Sequence, residues 1–332
     1  MVGLGSLDGA FRMNIVVLDG KALEPDPSNW SPIENVIPGA SFTWFPATTP
    51  DEVIARSADA EILVVNKVKF GVAQFAELPK LKMIAITATG YDKVDLNAAA
   101  EHGVTVCNVP LYSTQSVAQH VFACLLQVLH RPFEHDQAIR DGQWQASGQF
   151  AFWLSPVTEL VGKTMGIVGF GRIGQATAKL AMAFGMQLKI TSRTKKEVAG
   201  YESATWCDIN ELFLTCDVIS LHCPQTDSNA GFVNKELLSQ MKPSAILLNM
   251  DRGGLVNEAE LADCLNNDVL AAACLDVVSA EPIVPDNPLL NAKNCLLTPH
   301  IAWTTVEARS RLMNFVAENI RAYVDGKPIN VL

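Results

Sequence analysis

No stretch of ~18 consecutive apolar residues, the length a membrane helix needs, occurs in this sequence, so a membrane is not an expected partner. No Cys-x-x-Cys pair and no Cys/His grouping at zinc spacing is present, and no metal is expected. Low-complexity runs and blocks of like charge are missing too. Only 18% of residues are charged against 49% hydrophobic, which excludes intrinsic disorder. Positive charge is the scarcer sign: 25 Lys and Arg face 35 Asp and Glu, for a net charge of −10. Such a surface repels phosphate backbones, so no nucleic-acid partner is expected. The opening MVGLGSLDGAFR has neither a basic start nor an apolar core of signal-peptide type, and residues 1–12 read as an extension before a strand that begins at Met13. Most of the cysteines (Cys107, Cys124, Cys207, Cys216, Cys223, Cys264, Cys274 and Cys295) lie inside apolar patterns. That is the usage of reduced, buried thiols in a cytoplasmic protein.

What is present is alternation. At 332 residues the chain has room for two domains at roughly one per ~150 residues. IVVLD (15–19), EILVVN (61–66), KMIAITATG (82–90) and VTVCNV (104–109) read as buried strands, separated by helix-like Asp51–Arg56, Val72–Leu78 and Leu96–His102. A long helix follows, with Ser116 and Gln119 spaced as a capping box. After an aromatic loop (Trp144, Phe150, Phe152, Trp153) a second series begins: TMGIVGFG, QLKITSR, DVISLHCP, SAILLNM and LAAACLDVV. A final helix runs from Thr304/Thr305 to a Gly326 cap. Strands alternating with helices of this length predict an α/β fold of two doubly wound parallel-sheet units.

Gly169-Phe170-Gly171-Arg172-Ile173-Gly174 follows one of those strands and opens a helix. In this setting the first glycine makes the tight turn, the second admits a pyrophosphate against the backbone, and the third allows helix and strand to pack closely. The helix N-terminus then offers unpaired N–H groups to the phosphates. At the end of the next strand, where an acid would accept hydrogen bonds from the adenosine ribose, the sequence reads Ser192-Arg193-Thr194. No acid is there to repel a 2′-phosphate and Arg193 is suited to hold one, so NADP is favoured over NAD; a solvated basic turn in an NAD enzyme is the competing reading.

Three further segments follow strands of the second series and carry Arg252, Glu281 and His300. Singly, each has an ordinary surface or packing explanation. Together with a dinucleotide fold they form the parts of a carbonyl reduction. Negative charge grows on the carbonyl oxygen as hydride arrives, so the site needs a fixed cation and a proton donor. A histidine beside a carboxylate has its protonated form favoured. An arginine, always charged and fork-shaped, suits an oxygen pair.

GIVGFGRIG, NMDRGGLVNEAEL, LDVVSAEP and LTPHIAW together resemble the motif series of the D-isomer-specific 2-hydroxyacid dehydrogenases. NKVKF, ATGYDKVDL, VCNVP and YSTQSVAQHVF are similar to its glycerate dehydrogenase/hydroxypyruvate (glyoxylate) reductase branch. The resemblance implies a Rossmann nucleotide domain, 108–297, inserted into a flavodoxin-like substrate domain made of 13–107 and 298–332. It implies that Arg252 binds and polarises the substrate, that His300 is the general acid/base, and that Glu281 pairs with His300. Asp276 would meet the nicotinamide carboxamide, and Cys223, Pro224 and Met250 would line the cofactor. Backbone N–H groups at Lys67-Val68 and Thr89-Gly90 would receive the substrate carboxylate. The implied reaction moves hydride between NAD(P)H and a small 2-keto acid such as glyoxylate or hydroxypyruvate, in a homodimer. Phe150–Leu154 would either reach the neighbouring subunit or pack on its own. A D-lactate or phosphoglycerate dehydrogenase and a dinucleotide-sensing corepressor are the alternatives on the same fold. Asp251, beside Arg252, departs from the small residue common there; it is either a tether for Arg252 or a solvent-facing carboxylate.

Overall fold

The computed structural model describes residues 13–195 and 198–332; the extension expected at 1–12 lies outside the described residues. The chain divides into two compact units. One comprises the described residues up to Ser113 together with Thr304–Leu332, and the other is Thr114–Trp303. The second unit is thus inserted in the sequence of the first.

The first unit is built on β1 (Asn14–Val17), β2 (Ser41–Trp44), β3 (Ile62–Val65), β4 (Met83–Ile86) and β5 (Thr105–Cys107). All pair parallel in the order β2-β1-β3-β4-β5, the flavodoxin-like arrangement. β3 and β4 are buried along their whole length, as parallel strands covered on both faces must be. β2 was not expected from the sequence. It is an edge strand whose residues alternate between exposed and half-buried, so it lacks the apolar run that reveals the others. The C-terminal helix Val306–Val324 starts where Thr305 accepts a hydrogen bond from the Ala308 amide, and Gly326 follows it at φ +71°.

The second unit holds β6 (Thr164–Val168), β7 (Gln187–Thr191), β8 (Thr205–Trp206), β9 (Val218–Leu221), β10 (Ile246–Asn249), β11 (Ala272–Leu275) and β12 (Cys295–Leu297). They pair in the order β12-β11-β10-β9-β6-β7-β8, all parallel. This is the Rossmann order with one added strand, and its direction reverses between β6 and β9. β8 and β12 were not among the strands read from sequence; they have two and three residues, too few for a periodic signal. The helix Thr114–His130 begins two residues before Ser116, so no capping box forms there. The buried Ser116 hydroxyl instead donates to the Ala302 carbonyl at 2.5 Å.

That bond bears on the unit boundaries, which fall after Ser113 and Trp303 rather than after Cys107 and Leu297. The segment Thr298–Trp303 stays with the nucleotide-type sheet because its backbone is fastened there. The His300 amide donates to the Asp276 carbonyl, and the Ile301 and Ala302 amides donate to the Asp276 carboxylate.

Candidate active site

Every chemistry-bearing segment of the second unit leaves the C-terminal end of a strand, the edge where open parallel sheets receive ligands. Gly169–Gly174 follows β6, Ser192–Thr194 follows β7, Cys223-Pro224 follows β9, Arg252 follows β10, Asp276 follows β11 and His300 follows β12.

At the reversal between β6 and β9 the glycines are fixed by close approach. Gly169 sits at φ +94°, and a Cβ there would lie 2.2 Å from the His222 carbonyl oxygen. A Cβ on Gly174 would lie 2.2 Å from the Gly169 carbonyl oxygen. Gly171, at the start of the helix Arg172–Ala183, faces open space, with nothing within 4 Å of its would-be Cβ. The turn is therefore tight where protein meets protein and empty where a ligand would sit. That fits a pyrophosphate held on the helix N-terminus. Phe170 is a packing residue: its buried ring meets the edges of Tyr201 and Trp206. Ile173 packs half-buried against the same core, and Arg172 is exposed. Met250 is likewise buried in that core, and Cys223 is half-buried. His222 is fully buried against the Ser220 hydroxyl at 2.9 Å, and burial pushes its pKa down to about 3, so it is a neutral packing residue. Ser192, Arg193 and Thr194 are exposed.

His300 stands at φ +56°, a left-handed conformation that costs a non-glycine residue ~1–3 kcal/mol and persists only when its surroundings over-determine it. Asp276 supplies that determination. Its side chain is completely buried. Oδ1 accepts from the Thr298 hydroxyl at 2.6 Å and the Ile301 amide at 2.8 Å, and Oδ2 accepts from the Ala302 amide at 2.8 Å. His120 Nε2 approaches Asp276 Oδ1 at 3.6 Å and bonds the Thr298 hydroxyl at 3.1 Å. Asp276 therefore spends most of its accepting capacity on the loop that presents His300, a job the sequence did not disclose. Asp276→Ala would take the side-chain acceptor away from the Ile301 and Ala302 amides and from the Thr298 hydroxyl, of which the hydroxyl keeps His120. It should lower stability by about 3 kcal/mol in urea unfolding, at ~1–3 kcal/mol per orphaned group with partial relaxation.

The loop so fixed places His300 Nδ1 2.7 Å from Glu281 Oε2. An ionised carboxylate only accepts, so Nδ1 carries the proton toward Glu281 and Nε2 is left as the nitrogen that can exchange one. Glu281 sits on a loop tied down by Glu258, whose carboxylate accepts from the Ser279 amide and hydroxyl and from Asn287 Nδ2. The neighbouring loop carries Arg252. The buried Asn249 side chain accepts from the Asp251 amide at 3.1 Å and donates to the Arg252 carbonyl at 2.9 Å. Gly253 then passes so close to Val278 that a Cβ would lie 1.9 Å from its carbonyl carbon. Sequence reasoning gave no individual role to Asn249, Gly253 or Glu258; all three lie in the NMDRGGLVNEAEL motif, but what each holds depends on loops far away in sequence. The Arg252 guanidinium is partly exposed, with Nη1 donating to the Asp251 carbonyl at 2.7 Å.

In the first unit, one expectation is overturned. The backbone N–H groups of Lys67 and Val68 are not open to a substrate carboxylate, because both donate to Asp19 Oδ2, and the Asn66 amide donates to Asp19 as well. Asp19 leaves β1 where the strand order reverses, beside the turn after β3, and a buried carboxylate there is satisfied by three amides. Thr89 and Gly90 follow β4; the Thr89 hydroxyl donates to the Val109 carbonyl, and the Thr89 carbonyl accepts from Asn108 Nδ2.

A family model described as D-isomer specific 2-hydroxyacid dehydrogenase, NAD binding domain, matches residues 122–302. A hydroxypyruvate reductase of Blautia hydrogenotrophica is 42% identical over 320 residues, covering 96% of this chain and 99% of that one. Among solved structures, an acyclic imino acid reductase in complex with NADPH and D-Arg superposes with a TM-score of 0.84. It is 31% identical, with 96% of this chain and 100% of that chain covered. An NADPH-dependent glyoxylate/hydroxypyruvate reductase from Sinorhizobium meliloti, in complex with NADP and malonate, has a TM-score of 0.81. It is 30% identical, with 97% of each chain covered. The chain belongs to the D-isomer specific 2-hydroxyacid dehydrogenase family. It is a nicotinamide-dependent oxidoreductase of the glycerate/hydroxypyruvate branch, acting on small keto or hydroxy acids.

Proposed function

We propose that this enzyme reduces glyoxylate and hydroxypyruvate to glycolate and D-glycerate, with NADPH preferred to NADH. The observation that carries the reading is the His300–Glu281 pair at 2.7 Å on a loop locked by Asp276, with Arg252 on the neighbouring loop. The cofactor, when bound, supplies the hydride. Arg252 draws electron density toward the carbonyl oxygen and holds it as charge develops. His300 gives the proton from Nε2 to that oxygen, and Glu281 stabilises the imidazolium before transfer and keeps the ring in the productive tautomer. Thr89 and Gly90 are proposed to meet the substrate carboxylate. The Gly169–Gly174 turn and the helix start at Arg172 would hold the pyrophosphate, with Cys223, Pro224 and Met250 lining the ring end.

The NADPH preference rests on the exposed turn after β7, where Arg193 stands and none of Ser192, Arg193 and Thr194 is an acid that would repel a 2′-phosphate. Arg193→Ala should raise the KM for NADPH about tenfold while changing that for NADH by less than about twofold, as losing one charge-assisted contact implies. Equal effects on both cofactors, or a native preference for NADH, would overturn this part of the reading.

A homodimer is proposed on the aromatic segment, where Phe150 is 96% and Trp153 68% exposed, an apolar surface that a partner would cover. A cytoplasmic location is proposed from the cysteines, all eight of which are free thiols. No helix among the described residues is long and apolar enough to cross a membrane.

A further inference from the structure

Asp251 is a charged side chain next to the proposed machinery to which the reaction gives no role. Its carboxylate stands 3.6 Å from Arg252 Nη1, while its own carbonyl accepts from the same nitrogen at 2.7 Å. The side chain is only 23% exposed. Its amide is pinned by Asn249, so it has little freedom to swing into solvent. The groups acting on it come from three loops of the same unit. Arg252 lies on its own loop, His300 on the loop after β12, and Cys223 on the loop after β9. Burial and the Asp251 charge push the Cys223 thiol up to about 11. The carboxylate is thus fixed beside the arginine, with the histidine near enough for its charge to act on it.

We propose that Asp251 is a specificity-determining residue that restricts the site to 2-keto acids with a single negative charge. This rests on the placement of Arg252 and His300 at the substrate carbonyl. With His300 protonated for reduction, Arg252 and His300 contribute two positive charges, and Asp251 and Glu281 contribute two negative ones. These four groups therefore balance before substrate arrives. A monoanion brings one charge that Arg252 meets directly. A second carboxylate, sulfonate or phosphate on the substrate finds no uncompensated cation among these loops and meets Asp251 in a half-buried setting where screening is weak. A small residue at this position would leave Arg252 uncompensated and favour the second anion.

Burial raises the Asp251 pKa to about 6, against the lowering pull of Arg252 and His300. A raised carboxylate pKa means the charge is present above about pH 6 and lost as pH falls through it. The discrimination should weaken in the same direction.

The test compares kcat/KM for 2-oxoglutarate with that for 2-oxohexanoate, a tail of similar length without the second charge. In Asp251→Asn the dianion-to-monoanion ratio should rise about tenfold. In the unmodified enzyme the ratio should rise as pH falls from about 8 to about 5.5, where the second carboxylate of 2-oxoglutarate is still largely ionised. The ratio in Asp251→Asn should stay flat over that range. Asp251→Ser repeats the measurement without an amide, and the pH series on the unmodified enzyme needs no variant to fold. A ratio unchanged in both variants and flat with pH in the unmodified enzyme would overturn the proposal. Full turnover by Arg252→Ala would instead fail the reading of Arg252 on which it stands.

Discussion

Replacing His300 with alanine should reduce kcat for hydroxypyruvate by a factor of about 10³–10⁴, with the KM for cofactor moved by less than about twofold. Removing the imidazole takes away the only group on these loops shown both within hydrogen-bond reach of a carboxylate and with a second nitrogen left to carry a proton. Alanine at φ +56° also relieves no backbone strain, since Asp276 still holds the loop amides, so folding should be little changed. Glu281→Gln should fall between the two enzymes, losing about tenfold to a hundredfold in kcat. An amide still holds the ring but no longer stabilises its charged form. Rapid-mixing kinetics with near-UV circular dichroism separates chemistry from misfolding. A His300→Ala enzyme within tenfold of the unmodified rate would remove His300 from the mechanism.

Arg252→Ala should cost about 10³-fold in kcat/KM, expressed in both parameters, because the guanidinium serves the bound substrate and the charge that grows on its oxygen. Arg252→Lys should recover only part of this loss. Lysine keeps the charge but not the planar fork, and the Nη1 bond to the Asp251 carbonyl that aims the group has no equivalent on a flexible ammonium. Steady-state kinetics over a range of 2-keto acid concentrations resolves the two parameters. A change confined to KM would mean that Arg252 binds substrate without favouring the transition state.

The parts legible in the sequence were those that a local pattern dictates. Strands such as β3 and β10 are short apolar runs because both faces of a parallel sheet are covered. Gly169 and Gly174 stand out in their spacing because no side chain fits at either place. Arg252, Glu281 and His300 could be named because each follows a strand end in a chain that already carried a dinucleotide fingerprint. What escaped depends on residues far apart in sequence. Asp19 silences the Lys67 and Val68 amides from about fifty positions away, so an apparently open turn is closed by a side chain just past the end of another strand. Ser116 has the spacing of a helix cap, yet its hydroxyl is drawn to Ala302 across the fold. Asp276 reads as an acid at a strand end, but its work is to hold four of the five positions Thr298–Ala302 of the His300 loop, through the Thr298 hydroxyl and the His300, Ile301 and Ala302 amides. The same clasp shifted the unit boundary beyond the histidine.

The most direct test follows the absorbance of NADPH while purified protein meets glyoxylate or hydroxypyruvate, with chiral analysis of the product from hydroxypyruvate. Rapid, stoichiometric oxidation of NADPH that yields D-glycerate is the result the account predicts. Tight binding of NADPH without turnover of either acid, or of any 2-keto acid offered in their place, would contradict it and leave a dinucleotide-binding protein rather than a reductase.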